Sequence, residues 1–315
     1  MTTTDLPAPG AIGQILKAYA GDLPAVDFTR PAGEPALAGP DSVSWQVFKN
    51  PVSLFIGGTT AVLLELAEPR VRSGVWDHTS FRIDPLPRMA RTGLAAMVTV
   101  YGARSVAERM IARVGRMHGQ VSGLTPAGEA YRASDAELLD WVQATASFGF
   151  LQAYHTFVRP LAQGDRDRFY AEAAPAARLY GALGAPQSEA ALEQQLQAMR
   201  PKLERSQIVF DFLDIMRRTP VAPGPLRPLQ NLFIRAGVEI LPGWTRDILG
   251  LGPSHGLRPW ERGIVALAGA AADRLVLKSA PSAQACQRMG LPASYLYARR
   301  SRPTTQTVSA RSRRI

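Results

Sequence analysis

Two short stretches of the chain carry side chains whose types and spacing can do chemistry. In Asp84-Pro-Leu-Pro-Arg-Met-Ala-Arg-Thr-Gly93, Arg88 stands three residues before Arg91 and four before Thr92. On a helix that spacing sets two guanidinium groups and a hydroxyl on one face. Like charges so close are costly unless they meet an acidic partner or solvent, and Arg88 pairing with Asp84 at the helix start is the plainer alternative. The second stretch is Arg113-Val-Gly-Arg-Met-His-Gly-Gln-Val-Ser-Gly123. His118 has Gly115 one turn behind it and Gly119 beside it, so a wide flat ligand can approach the backbone there. Neutral imidazole is a ligand for haem iron, and Arg113 or Arg116 can meet the propionates. A histidine at a helix end also serves as a cap or a surface residue, and the spacing alone does not choose.

Those groups must be positioned by a chain of 315 residues and 34.1 kDa with a formal charge of +10. At 46% hydrophobic and 20% charged residues, the composition excludes a disordered, a collagen-like and a polytopic membrane protein. A single cysteine, Cys286, excludes an internal disulfide framework, a four-cysteine metal site and covalent haem attachment. A metal centre would need histidine or carboxylate ligands, yet no His-Glu-x-x-His or Glu-x-x-His occurs among the four histidines. The opening Met-Thr-Thr-Thr-Asp-Leu-Pro lacks the features of a secretory signal, which leaves the cytoplasm as the expected compartment. The pI near 10.2 invites a nucleic-acid partner. More than half of the charge surplus, however, sits in residues 299–315, where Arg299, Arg300, Arg302, Arg311, Arg313 and Arg314 meet no acid. That tail reads as a disordered, solvated extension, with an anionic partner as the alternative.

Residues 1–48 read as a wrapping arm with one short amphipathic helix, Ile12 to Leu23. The run from Pro51 to Pro69 is apolar nearly all round, as in a helix buried on every side. A membrane span is rejected because the run is short, carries Gly57-Gly58 and ends in Glu65 and Glu68. From Pro85 the pattern is helical: one helix to Tyr101, a second from Ser105 to Met117, and a long one through Val158 opened by a Ser134–Glu137 capping box. Later helices start near Gly164, Ser188, Ser206, Pro228 and Pro259. Strand patterns are scarce, so residues 49–298 read as one all-α domain, with about ten helices in the whole chain. His78 reads as organising a turn or a metal ligand's surroundings, His155 as a satisfied core histidine, His255 as solvated, and Trp141 and Tyr131 as packing anchors.

The order Ile56-Gly-Gly-Thr-Thr-Ala-Val-Leu-Leu-Glu-Leu-Ala-Glu-Pro69, Gly74-Val-Trp-Asp-His78, Asp84-Pro-x-x-Arg88-x-x-x-Thr92, His118-x-x-Val-x-Gly123, Tyr131-x-Ala-x-Asp135 and Leu139-x-Trp-Val142 resembles the MpaB-like oxygenase family. That family includes the latex clearing protein, or rubber oxygenase, and the resemblance runs from about residue 52 to 203. It implies a haem b protein with a globin-like helical core that uses dioxygen to cleave carbon–carbon double bonds in isoprenoid chains. His118 matches the iron ligand, and Arg88 and Thr92 match polar residues of the haem pocket. Arg91 falls where the rubber-cleaving members place a lysine. Arginine stays protonated and has no lone pair for a metal, so a lysine-like closed state and rubber itself as substrate are not expected. Family members often have histidine before the proline where this chain has Glu68-Pro69.

The resemblance further implies that Arg88, Arg91 or Thr92 stabilises negative charge developing on oxygen; Glu65 is the candidate base because an acid in an otherwise apolar helix is costly to bury and needs a reason. A salt bridge from Glu65 to one of the arginines is the alternative. Gly57-Gly58 either lets its helix lie close to the porphyrin or serves helix packing. The first functional reading is thus a haem b-dependent oxygenase taking a small apolar, unsaturated, isoprenoid-like substrate. A non-oxygenase haem protein is the second. A basic helical protein binding nucleic acid or an anionic membrane through its tail is the third.

Overall fold

Asn50 starts the first long helix by accepting from the backbone amides of Val52 and Ser53, both at 3.1 Å, with Pro51 in the first turn, where its missing N–H costs nothing. The computed structural model describes residues 26–221 and 227–297, so the expected helix from Ile12 to Leu23 and the basic tail lie outside the described residues. In chain order the helices are α1 (Val43–Phe48), α2 (Pro51–Ala67), α3 (Pro69–His78), α4 (Pro85–Tyr101) and α5 (Arg104–His118). A hairpin follows, β1 (Ser122–Leu124) and β2 (Ala130–Arg132), then α6 (Ala136–Phe157), α7 (Gln163–Tyr180), α8 (Glu189–Met199) and α9 (Gln207–Arg218). The last four are α10 (Arg227–Glu239), α11 (Gly243–Leu249), α12 (Glu261–Ala272) and α13 (Pro281–Arg288). The protein is mostly helical, 67% helix against 2% strand, with 13 α-helices among the described residues.

The architecture is organised around α2 and α6. Gly57 and Gly149 face each other where the two helices cross, and a Cβ on Gly57 would lie 2.7 Å from the Gly149 carbonyl oxygen. The two backbones can approach that closely only because both residues lack side chains. Helix packing is therefore what Gly57 serves, and it is not left free to face a porphyrin. Ile56, Leu63, Leu64 and Leu66 of α2 are buried, as are Trp141, Leu151, Tyr154 and Phe157 of α6. No single helix among the described residues is long and apolar enough to cross a membrane.

Pro69 ends α2, because its ring disfavours helical backbone at the residue before it, and Glu68 is extended at φ −89°, ψ 121°. The chain turns by 111° into α3. Glu68 is fully buried there: its carboxylate accepts from the Val71 amide at 2.7 Å and pairs with Arg70 Nε at 2.6 Å. This gives the glutamate before Pro69 a structural task as the N-cap of α3. Arg70 continues to Glu137, which also meets Lys202.

Two local readings are corrected. The Ser134–Glu137 capping box does not form. Asp135 is the N-cap residue of α6, its Oδ2 accepts from the Arg132 amide at 3.0 Å, and Glu137 is drawn away to Arg70 and Lys202. The stretch after His118 is a two-stranded antiparallel hairpin with Gly123 opposite Tyr131. Its strands have three residues each, too few for an alternating pattern to show. Gly123 is required there, since a Cβ would lie 2.8 Å from the Tyr131 hydroxyl.

Candidate functional site

Four elements bring polar groups toward one space. Glu65 comes from the last turns of α2, Thr145 from α6, Arg88 and Thr92 from α4, and His118 from the final turn of α5. The reach of His118 is set by the chain that follows it. The amides of Gly119, Gln120 and Val121 close turns onto the carbonyls of Gly115, Met117 and His118 at 3.0–3.1 Å, and Ala133 N bonds Val121 O at 2.9 Å. Tyr131, buried on β2, then stands 3.2 Å from His78 Nε2 through its hydroxyl, which ties the hairpin to α3.

Arg88 stands within electrostatic range of Glu65 and of His118. Burial pushes the Glu65 carboxyl up to about 7, against the opposing pull of the Arg88 charge and the nearby Thr145 hydroxyl. Thr145 is fully buried and donates to the Val142 carbonyl at 2.9 Å. Burial also lowers the Arg88 guanidinium from its ordinary value, with Glu65 opposing and Arg91 adding to the drop. His118 is lowered by burial first and by the Arg88 charge second, so it is neutral at pH 7 with a lone pair to give. Glu65 makes no ion pair within 4 Å among the described residues, so the expected salt bridge is replaced by a longer-range attraction to Arg88.

Arg88 donates to the Thr92 hydroxyl, and Thr92 in turn donates to the Arg88 carbonyl at 3.0 Å. This pair shares a helix face as the spacing required. Arg91 does not join it: its Nη2 donates to Ser80 Oγ at 3.0 Å, on the turn before α4. Pairing of Arg88 with Asp84 is not observed either, and Asp84 makes no side-chain cap bond. Arg113 and Arg116 are exposed on α5 and form no ion pair among the described residues.

The residues present fit a haem group on three counts. The His118 ring has no hydrogen-bond partner among the described residues, and it is held in the form that ligates iron. Gly93 on α4 and Gly115 on α5 are exposed, and a Cβ built on either would meet nothing within 4 Å, so neither helix is covered at that point. Met89, Leu94 and Met97 of α4 are only half-buried and supply apolar surface. No cluster of three or more His, Cys, Asp or Glu that could cage an ion exists among the described residues, whereas a porphyrin asks the protein for one axial donor.

The other histidines are placed elsewhere. His155 Nδ1 accepts from the Leu161 amide at 2.9 Å, capping the chain after α6. His255 is half-buried, its ring 5.8 Å from that of Phe210 and its Nδ1 enclosed without a hydrogen bond, which corrects the expectation of a solvated side chain. Cys286 is buried, and burial raises its thiol to about 11. Thr145 is the member of the site that sequence reasoning missed. It stands 80 residues from Glu65 in the chain and belongs to no motif with it.

Residues 45–272 match the family model described as ER-bound oxygenase mpaB/B'/Rubber oxygenase, catalytic domain. The match extends well past residue 203 and takes in α9 to α12. No curated protein and no solved structure matches the chain.

Proposed function

The chain belongs to the mpaB/rubber oxygenase catalytic-domain family and is an oxygenase, and on that premise we propose that it depends on haem b and uses dioxygen to cleave a carbon–carbon double bond in an apolar, unsaturated, isoprenoid-like substrate. The observation that carries this reading is a neutral, unpartnered His118 and a half-buried Glu65, each within electrostatic range of Arg88. Haem b, when bound, supplies the iron at which dioxygen is activated. The proposal includes a globin-like role for the helical core and a cytoplasmic enzyme.

In this reading His118 would hold the haem iron through its free ring nitrogen. Arg113 and Arg116, exposed on the same helix, would meet the propionates. Met89, Leu94 and Met97 keep water from the reacting carbon and bind the substrate chain. Arg88 supplies positive charge where negative charge develops on oxygen, and its bond to Thr92 fixes the guanidinium on that face of α4. Glu65 would take a proton at its carboxylate oxygen from the carbon next to the double bond, the C–H electron pair staying on that allylic carbon. With its pKa at about 7, the group is part ionised near neutrality and its conjugate acid is matched to the operating pH. Arg91, exposed and turned to Ser80, has no lone pair with which to close over a metal, which argues against rubber as the substrate.

An absorption spectrum of the purified protein, with hemin supplied, tests the cofactor. A Soret band that shifts on reduction and on carbon monoxide addition is expected, and His118→Ala should lose it. Oxygen consumption with a terpenoid alkene tests the reaction, and Glu65→Gln should slow it by about a hundredfold or more while keeping the Soret band. A preparation that stays colourless with hemin overturns the reading.

A further inference from the structure

Helix α12 turns an apolar face to the outside. Glu261 and Val265 on its inner side are buried, Val265 against Ala153 and Phe157 of α6 and Ala236 of α10. On the outer side Trp260, Ile264 and Leu267 are exposed, Leu267 by 72%, and the chain continues into exposed Leu275 and Val276. No charged residue occurs from Gly263 to Ala272. Single exposed apolar residues are ordinary, whereas a contiguous set along one helix marks a surface that meets something.

The rim of this face is mainly basic, with Glu239 of α10 standing 3.9 Å from Arg262. Arg258, Arg262, Arg274 and Lys278 are exposed around it. The two acids between Arg258 and Tyr297 are engaged, Glu261 by Arg235 at 2.8 Å and Asp273 by Lys49 at 3.1 Å. The place where the described chain ends adds to this. Lys49 Nζ donates to the Asp273 carbonyl at 2.8 Å, one residue past α12, and stands 4.4 Å from the centroid of the Tyr297 ring. Tyr297, the last described residue, thus lies by the C-terminal end of the apolar face, and the sequence after it carries arginines at 299, 300, 302, 311, 313 and 314.

We propose that this face docks the protein on an anionic lipid bilayer, with Trp260, Ile264 and Leu267 at the boundary between headgroups and acyl chains and the basic rim against the lipid phosphates. The chemistry selects this occupant. A second copy of the chain would bring two basic rims together across a two-fold axis. A nucleic acid would leave Trp260 and Leu267 without a partner. The docking face is also separate from the candidate site. Phe157, packed near α12, lies roughly 18 Å along α6 from Thr145 at 1.5 Å per residue. The proposal stands independently of the haem reading.

The test is co-sedimentation of the full chain with vesicles of phosphatidylcholine alone and of phosphatidylcholine with about 30% phosphatidylglycerol, at low and high salt. Binding to the anionic vesicles that weakens with salt is expected, and Leu267→Asp and Trp260→Ser should each lower the partition coefficient about tenfold or more with the thermal midpoint unchanged. Brominated lipid should quench tryptophan fluorescence in the wild type and much less in Trp260→Phe. Failure to bind anionic vesicles, or binding that Leu267→Asp leaves intact, overturns the proposal. So does a dimer in solution that Leu267→Asp converts to a monomer, which would assign the face to a second copy.

Discussion

Glu65 is held among apolar neighbours on α2, and its proton affinity there links the site to the stability of the whole chain. The unfolded chain releases this proton near 4.5, whereas the folded protein keeps it to about 7. Between those values the native state binds more protons than the unfolded state, so stability falls as pH rises through the window. At about pH 8 the loss is complete and is on the order of 3 kcal/mol. Glu65→Gln should therefore be more stable than the wild type at about pH 8 and close to it at about pH 4, read by urea denaturation at each pH. A difference that does not change with pH would mean that the carboxyl is solvated. At this scale the sequence was informative wherever the partners are local. Arg88 and Thr92 are four residues apart and a helix alone brings them together, while the Glu65–Thr145 proximity depends on two helices packing.

At the scale of elements, the crossing of α2 and α6 is the contact on which the site depends, since it sets Glu65 against Thr145. A Cβ on Gly149 would lie 2.3 Å from the Gly57 carbonyl oxygen, which only a shift of one helix can relieve. Gly149→Ala is expected to destabilise by about 2–3 kcal/mol in thermal or denaturant unfolding. Gly58→Ala is the contrasting case. The nearest atom to a new Cβ there is Phe150 Cε1 at 3.9 Å, so the higher helix propensity of alanine should leave stability unchanged or raise it by about 0.5–1 kcal/mol. Gly57 and Gly58 are adjacent and chemically identical, and nothing in their spacing tells which one faces a helix. The capping box failed for a related reason. Ser134 and Glu137 have the right spacing, but Arg70, from α3, and Lys202 offer Glu137 charged partners that a backbone amide does not match.

At the scale of the molecule, the described N-terminal segment and the last helix are joined through one side chain. Arg288 is almost fully buried on α13, and its Nε and Nη1 donate to the carbonyls of Glu34 and Phe28, each at 2.8 Å. Its own carbonyl accepts from Gly33 N at 2.8 Å. Burial of the charge lowers its proton affinity, with Glu34 opposing. Arg288→Ala leaves two carbonyls without their donor and is expected to cost about 2–4 kcal/mol. Limited proteolysis should then cut within residues 26–42, where the wild type resists. Both ends of this lock lie outside the matched residues 45–272.

The sequence by itself determined the helical class, the main helix starts, the family and the local pair on α4, because each rests on residues within a few turns of one another. Caps at Ser188 and Ser206 and breaks at Gly and Pro act through the backbone of their own segment. The tertiary structure decided the rest. It set which glycine lets two helices touch, why Glu68 precedes Pro69, that Arg91 turns to Ser80, and how far burial raises the Glu65 carboxyl. These outcomes depend on distances between segments far apart in the chain. Desolvation and charge act through space and not along the sequence.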